Sequence, residues 1–252
     1  MRIKEILQTL YKIHKENPNI SEPMICGGIV RDRVIGQVVE KYNDLDITNG
    51  DQTIKNLAEE FALQFSKTYS VKKSVAEDGH VSIYLNNFKI DFSSNFLIPE
   101  IDKILSDIGV KNPSDMQKEI FSRDFTCNAL LLTLDLKNVK DLTGKGLKDI
   151  QDKTIRTCLE PKYTLAFNTN RIPRIIYIAC KLKFEVDPIV IEWVKNNPKY
   201  VSQTKAKYIA EKLSKAIQYD KERAVHLISE MNLWNLIPIS PELQPFYQRA
   251  KK

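Results

Sequence analysis

The chain has 252 residues, 42% hydrophobic and 28% charged, with 38 Lys and Arg against 32 Asp and Glu for a formal net charge of +6. That balance excludes a disordered or collagen-like chain, and the length allows one large domain or two modest ones, each with a core. The positive excess suits a polyanionic partner without specifying one. Four separated cysteines (Cys26, Cys127, Cys158, Cys180) and three scattered histidines (His14, His80, His226) give no zinc-ligand spacing, so buried thiols in a reducing compartment are expected.

The opening MRIKEILQTLYKIHKENPNI places Ile3, Ile6, Leu7, Leu10 and Ile13 on one helical face. It lacks the unbroken apolar run of a signal peptide, and no stretch approaches a membrane span, so a soluble cytoplasmic protein is expected. After a loop from Pro18 to Pro23, Met24 to Cys26 forms a short apolar strand ending at Gly27-Gly28. Val30 to Ile35 follows as a helix, Asn43 to Ile47 as a strand, and Thr53 to Phe65 as a helix carrying Ile54, Leu57, Ala58, Phe61 and Ala62 on one side. Val81, Ile83 and Leu85 alternate, Asn86-Asn87 turns, and Phe88, Ile90 and Phe92 alternate back. This is a hairpin, with Asp91 on the face opposite Ile90 and Phe92. A polar connector and a helix lead to an apolar strand from Ala129 to Leu134, then to a two-glycine segment ending in the strand-like TIRT. From about Thr164 helical periodicity takes over. The switch near Thr157 predicts a strand-and-helix domain over 1–157 and a helical one over 158–252.

Asp44 and Asp46 stand at i and i+2, which on a strand puts both carboxylates on one face. Like charges so placed are costly unless a cation lies between them, and hard oxygen ligands suit Mg²⁺. Asp91, on a neighbouring strand, would be the third carboxylate. The bland alternative is a solvated strand end. Gly27-Gly28, between a strand and a helix, lets an anion approach the backbone, and Arg31 in the first helical turn could add a charge-assisted hydrogen bond. The dinucleotide fingerprint GxGxxG and the P-loop GK[ST] are both absent.

With these residues in place, GGIVRD followed by DLD resembles the head of the class II tRNA nucleotidyltransferase and bacterial poly(A) polymerase family, within the polymerase-β-like nucleotidyltransferases. SRDFTCNAL (122–130), DLTGKGLKDIQDKTIR (141–156) and RIPRIIYIACKLKFEVD (171–187) resemble further family segments in the expected order, so the likeness runs from about Met24 to Asp187. The resemblance implies an α+β fold, with a mixed-sheet head and then an all-helical neck and short body. It implies that Asp44, Asp46 and Asp91 bind catalytic Mg²⁺, and that Gly27, Gly28 and Arg31 lie on the triphosphate. Arg123 and Asp124 would contact the nucleotide's phosphate and sugar, and Arg171 and Arg174 its base from the neck. The implied partners are RNA, with a tRNA 3′ end foremost, and CTP and ATP. Residue by residue the bland alternatives are that Asp124 caps a helix, Asp141 and Asp149 serve turns, and Arg156 forms a surface ion pair.

The sequence departs from the family at several points. The neck's acidic partner is Asn168, which can accept a hydrogen bond but carries no charge, implying looser rejection of U and G. Pro173 should kink the neck helix or mark its first turn. Ser122 replaces an arginine, and FSSNF after Asp91 lacks the family's arginine. The body is short, which implies a minimal RNA grip, a homo-oligomer or an accessory partner. The expected function is template-independent addition of CMP and AMP to a tRNA 3′ end by two-metal in-line transfer. Poly(A) or A-only addition is the alternative, an inactive RNA- or nucleotide-binding module the alternative of another class, and transfer to a protein or small molecule a third.

Overall fold

The computed structural model describes residues 3–38, 43–76, 80–93 and 97–250. It divides into two compact units, 1–123 with 127–150 and 124–126 with 151–252.

In the first unit α1 (Ile3–Glu16) buries Ile3, Ile6, Leu7, Leu10 and Ile13. After it come β1 (Met24–Cys26), α2 (Gly28–Val34), β2 (Asp44–Thr48) and α3 (Ile54–Ser66), whose apolar side packs on α1. Then follow β3 (Val71–Val75), β4 (Val81–Leu85), β5 (Phe88–Phe92), α4 (Ile101–Asp107), α5 (Asp115–Phe121), β6 (Leu131–Leu132), β7 (Val139–Lys140) and α6 (Gly146–Gln151), whose last residue lies past the division. The strands make one mixed sheet in the order β3-β4-β5-β2-β1-β6-β7, in which β2 and β5 run parallel and the other neighbours antiparallel.

The hairpin of β4 and β5 turns at Asn86, which takes φ 53°. Strand β3 has no alternating apolar pattern; Lys72 to Val75 are exposed, and Lys72 and Lys73 occupy a sheet edge, where lysine discourages strand addition. The strand expected over Ala129 to Leu134 shortens to Leu131–Leu132, between the 3₁₀ turn at Thr126–Asn128 and the turn in which the Leu136 N–H donates to the Thr133 carbonyl at 2.8 Å. All four cysteines are buried and free. Residues 94–96 of FSSNF lie outside the described residues.

The second unit begins with β8 (Thr154–Ile155) and continues through α7 (Pro161–Phe167), α8 (Arg171–Leu182), β9 (Glu185–Val186), α9 (Pro188–Asn196), α10 (Pro198–Ser202), α11 (Ala206–Tyr219), α12 (Lys221–Glu230) and α13 (Gln244–Ala250). It is mainly helical but not wholly so. Lys183 at φ 56° ends α8, and Glu185–Val186 then pairs in parallel with Thr154–Ile155. Pro173 lies in the first turn of α8, where its missing N–H leaves no helical bond unmade. The face of α8 carrying Ile172, Ile175, Ile176 and Ala179 is buried, and α8 packs on α11 and α12. Asp124–Thr126 joins this unit through an antiparallel bridge from Phe125 to Thr157 and a bond from the Thr126 N–H to the Arg156 carbonyl at 2.9 Å. Among the described residues no helix is long and apolar enough to cross a membrane.

Candidate active site

The sheet's face is set by alternation. On β2, Leu45 and Ile47 go into the core, which leaves Asp44 exposed and Asp46 half-buried on the other side. On β5, Phe88, Ile90 and Phe92 are buried, which leaves Lys89 and Asp91 on the side of the aspartates. The parallel register pairs Asp44 with Lys89 and Asp46 with Asp91. Four charged side chains, three negative and one positive, therefore share one patch of the sheet.

Gly27 closes this patch from β1. Its backbone takes φ 78° and ψ −154°, a region open essentially to glycine alone. A Cβ there would overlap Asp46 Oδ2 and stand 3.3 Å from its Cγ. The first glycine thus does more than turn the chain, because it keeps one face of the Asp46 carboxylate clear. Gly28 opens α2 with the Arg31 guanidinium against it, and no side chain caps that helix start. Arg31 itself is buried. Its Nε donates to Asp32 Oδ1 at 2.8 Å and its Nη1 to Asn128 Oδ1 at 2.5 Å, so it braces the turn rather than reaching into solvent.

Burial pushes the Asp46 carboxyl up; Arg123 opposes that rise, and Asp91 and Asp44 add to it. Asp91 behaves in the opposite way. Burial would raise it, but hydrogen bonds from His80, Lys89 and Ser82 hold it at about 2. Ser82 Oγ donates to Asp91 Oδ1 at 2.6 Å, and Lys89 Nζ donates to Oδ2 at 2.6 Å. His80 Nε2 stands 3.4 Å from Oδ1. Arg123 donates from Nη2 to Glu119 Oε1 at 2.5 Å and to Ser93 Oγ at 3.1 Å, while buried Glu119 also accepts from the Thr48 hydroxyl. Cys26 is the register partner of Asp46; burial pushes its thiol up to about 12, so it offers no thiolate nucleophile.

These residues suit a small, hard divalent cation. Asp44 and Asp46 supply carboxylate oxygens on one face, Asp44 is open to solvent, and Gly27 leaves Asp46 uncovered. As the side chains stand, no three His, Cys, Asp or Glu among the described residues converge closely enough to hold a metal. Both Asp91 oxygens accept hydrogen bonds, from Ser82 and Lys89.

A second cluster lies within the second unit. Asp124 Oδ2 accepts from Arg174 Nε at 3.0 Å and Nη2 at 2.6 Å, and Oδ1 accepts from the Phe125 N–H at 2.7 Å. Burial would raise the Asp124 carboxyl, but Arg174 and then Arg171 hold it below the usual range. It is an ion-pair partner of Arg174. Arg171 is buried, donates to the Thr164 carbonyl at 3.1 Å and lies 5.7 Å from the Phe167 ring centre. Asn168 Oδ1 accepts from the Asn170 N–H at 3.1 Å, and its carbonyl accepts from the Arg171 N–H. Of the residues given bland alternatives, Asp141 serves a turn through Thr143 and Leu147, and Arg156 pairs with Asp187. Sequence reasoning missed Lys89, Ser82, His80, Glu119 and Asn128. Lys89 alone was within reach, two residues before Asp91 and so on its face of the strand.

The mixed sheet thus carries an Asp-x-Asp strand beside a third carboxylate, after a strand–glycine–helix turn. Residues 24–156 match the family model described as the poly A polymerase head domain, and the chain belongs to that family. It is 30% identical over 190 residues to the mitochondrial CCA tRNA nucleotidyltransferase of Saccharomyces cerevisiae, covering 69% of this chain and 34% of that one. It is 25% identical over 210 residues to the tRNA nucleotidyltransferase cca2 of Schizosaccharomyces pombe, covering 78% and 43%. The Bacillus stearothermophilus CCA-adding enzyme, solved in complex with CTP, shares the fold with a TM-score of 0.71 at 18% identity, over 98% of this chain and 56% of that one. The chain thus spans about a third to two fifths of the length of these two curated relatives.

Proposed function

We propose that this chain is a template-independent nucleotidyltransferase that adds CMP and AMP, from CTP and ATP, to the 3′ end of a tRNA. The observation that supports this most is the register of β2 and β5, which sets Asp46 beside Asp91 with Asp44 two residues away on the same face. Family membership and the names of the relatives point the same way.

In this reading the 3′-hydroxyl oxygen attacks the α-phosphorus in line. The bond to the bridging oxygen breaks, pyrophosphate leaves, and the hydroxyl's proton passes to solvent water. Asp44 and Asp46, with Asp91, would hold Mg²⁺, which when bound polarises the α-phosphate and neutralises the departing charge. Gly27 and Gly28 give the triphosphate room beside the backbone N–H groups, and Arg31, paired with Asp32 and bound to Asn128, braces that turn. Arg123 sets the charge around Asp46 and meets the nucleotide's phosphate. For the second unit the family resemblance assigns Asp124 to the sugar and Asn168, Arg171 and Arg174 to the base, and Arg174 also holds the Asp124 carboxylate. Catalysis is then mainly positioning and fixed electrostatics.

The test is release of pyrophosphate from CTP in the presence of tRNA lacking its terminal CCA. Release is expected with a normal 3′ end, and none with a 3′-deoxy end or with Asp46→Asn. Release that ignores the 3′ end would refute transfer to RNA.

A further inference from the structure

Lys89 carries the positive charge in the carboxylate patch, and nothing above gives it a task. Its place is set by the sheet: register partner of Asp44 on β2 and of Tyr84 on β4, and two residues from Asp91 on its own strand. Its ammonium donates to Asp91 Oδ2 at 2.6 Å, while the other oxygen is held by Ser82. The Lys89 side chain remains 39% exposed, and its Nζ lies 5.9 Å from the centre of the Tyr84 ring. Ser82 is buried and fixed, so of Asp91's two closest partners only Lys89 has open solvent to move into. The patch otherwise holds three carboxylates, of which Asp44 is exposed and Asp46 half-buried on the same face of β2.

We propose that Lys89 is a resident cation of the site: it neutralises Asp91 in the free chain and competes with a divalent ion for that carboxylate. Metal binding then requires the Lys89–Asp91 pair to open and the lysine to swing toward Tyr84 and solvent. Two consequences follow. The free chain holds divalent ions weakly, and the aspartates stay apart rather than collapsing onto an adventitious metal. Asp44 and Asp46 make the first attachment, and Asp91 joins when Lys89 leaves. This inference rests on the reading of Asp44, Asp46 and Asp91 as a metal site.

The test is a titration of the nucleotide-free chain with Mn²⁺, read by loss of the free-ion electron paramagnetic resonance signal. It compares the natural chain with Lys89→Met, Lys89→Arg, Asp46→Asn and Lys89→Met/Asp46→Asn. Removing one positive charge a few ångströms from a divalent ion near the surface should tighten binding by about tenfold in Lys89→Met. Lys89→Arg, which keeps the charge, should bind as the natural chain does, and Asp46→Asn should abolish the site in both backgrounds. Affinity in Lys89→Met that equals or falls below the natural value, with Asp46→Asn still abolishing binding, overturns the proposal and leaves the metal site standing. An arginine variant that binds as tightly as the methionine variant overturns it as well. Binding that Asp46→Asn leaves unchanged in both backgrounds overturns the metal-site reading, and the proposal with it. Far-ultraviolet circular dichroism confirms that each variant is folded.

Discussion

Replacing Gly27 with alanine tests the link between the glycine turn and the carboxylates. Two costs combine. At φ 78° and ψ −154° an alanine is strained by about 1–3 kcal/mol. The new Cβ would also overlap Asp46 Oδ2, so the carboxylate must retreat by about 1–1.5 Å to reach ordinary contact at roughly 3.5–4 Å. A displacement of that size at a reacting centre costs on the order of 10²-fold in rate. Gly27→Ala should therefore unfold at lower urea concentration, by about 1–3 kcal/mol, and lose about 100-fold in kcat. Denaturation followed by circular dichroism reads the first effect, and single-turnover incorporation from labelled CTP reads the second. Gly28→Ala is the comparison, since its Cβ would meet only the end of the Arg31 side chain, at 3.2 Å. Full activity in Gly27→Ala at normal stability would refute the claim that this glycine exists to keep Asp46 clear.

Three further outcomes are expected. Because burial raises the Asp46 carboxyl, its charge destabilises the free fold at neutral pH, and Asp46→Asn should melt higher by on the order of 1 kcal/mol. That gain should shrink as pH falls through the raised value and the natural carboxyl protonates; thermal melts at several pH values decide it. Arg174→Met leaves the buried Asp124 without its main partner and should cost about 2 kcal/mol at pH 7, the low side for a buried pair because Arg174 is 38% exposed. Since the Asp124 carboxyl is depressed, that loss should narrow as pH falls through its folded value, read by urea titration in acid. Asn168→Asp restores a charged acceptor while keeping the turn to the Asn170 N–H, and should cut incorporation of U and G relative to C and A by about tenfold in a four-nucleotide assay.

Much of this arrangement is written locally in the chain. The two-residue alternation of DLDIT and FKIDF fixes which side chains leave the core, and the pairing of the strands then brings Asp46 to Asp91. The stripes of α1, α3 and α8 likewise follow from apolar spacing. What the sequence hid depends on distant partners. Arg31 has a plausible phosphate-binding position in GGIVRD, yet its guanidinium is taken by Asn128, 97 residues away. Asp124 follows Arg123 directly, but the two belong to different compact units, because Asp124–Thr126 joins the bridge to Thr157. Strand β3 escaped notice because an exposed lysine-bearing edge carries no hydrophobic pattern to read.

Asp44, Asp46 and Asp91, on β2 and β5, are proposed to serve nucleotide addition to RNA. The most direct measurement is a gel assay of purified chain with Mg²⁺ and labelled CTP and ATP, given separately and together. The substrates are tRNA lacking CCA, tRNA ending in CC and an unstructured RNA, with Asp44→Ala/Asp46→Ala as control. Discrete extension of the tRNAs alone, absent in the double variant, is the predicted result. Long A tails on every RNA would replace tRNA maturation with polyadenylation, and extension no greater than the double variant's would contradict the account at its root.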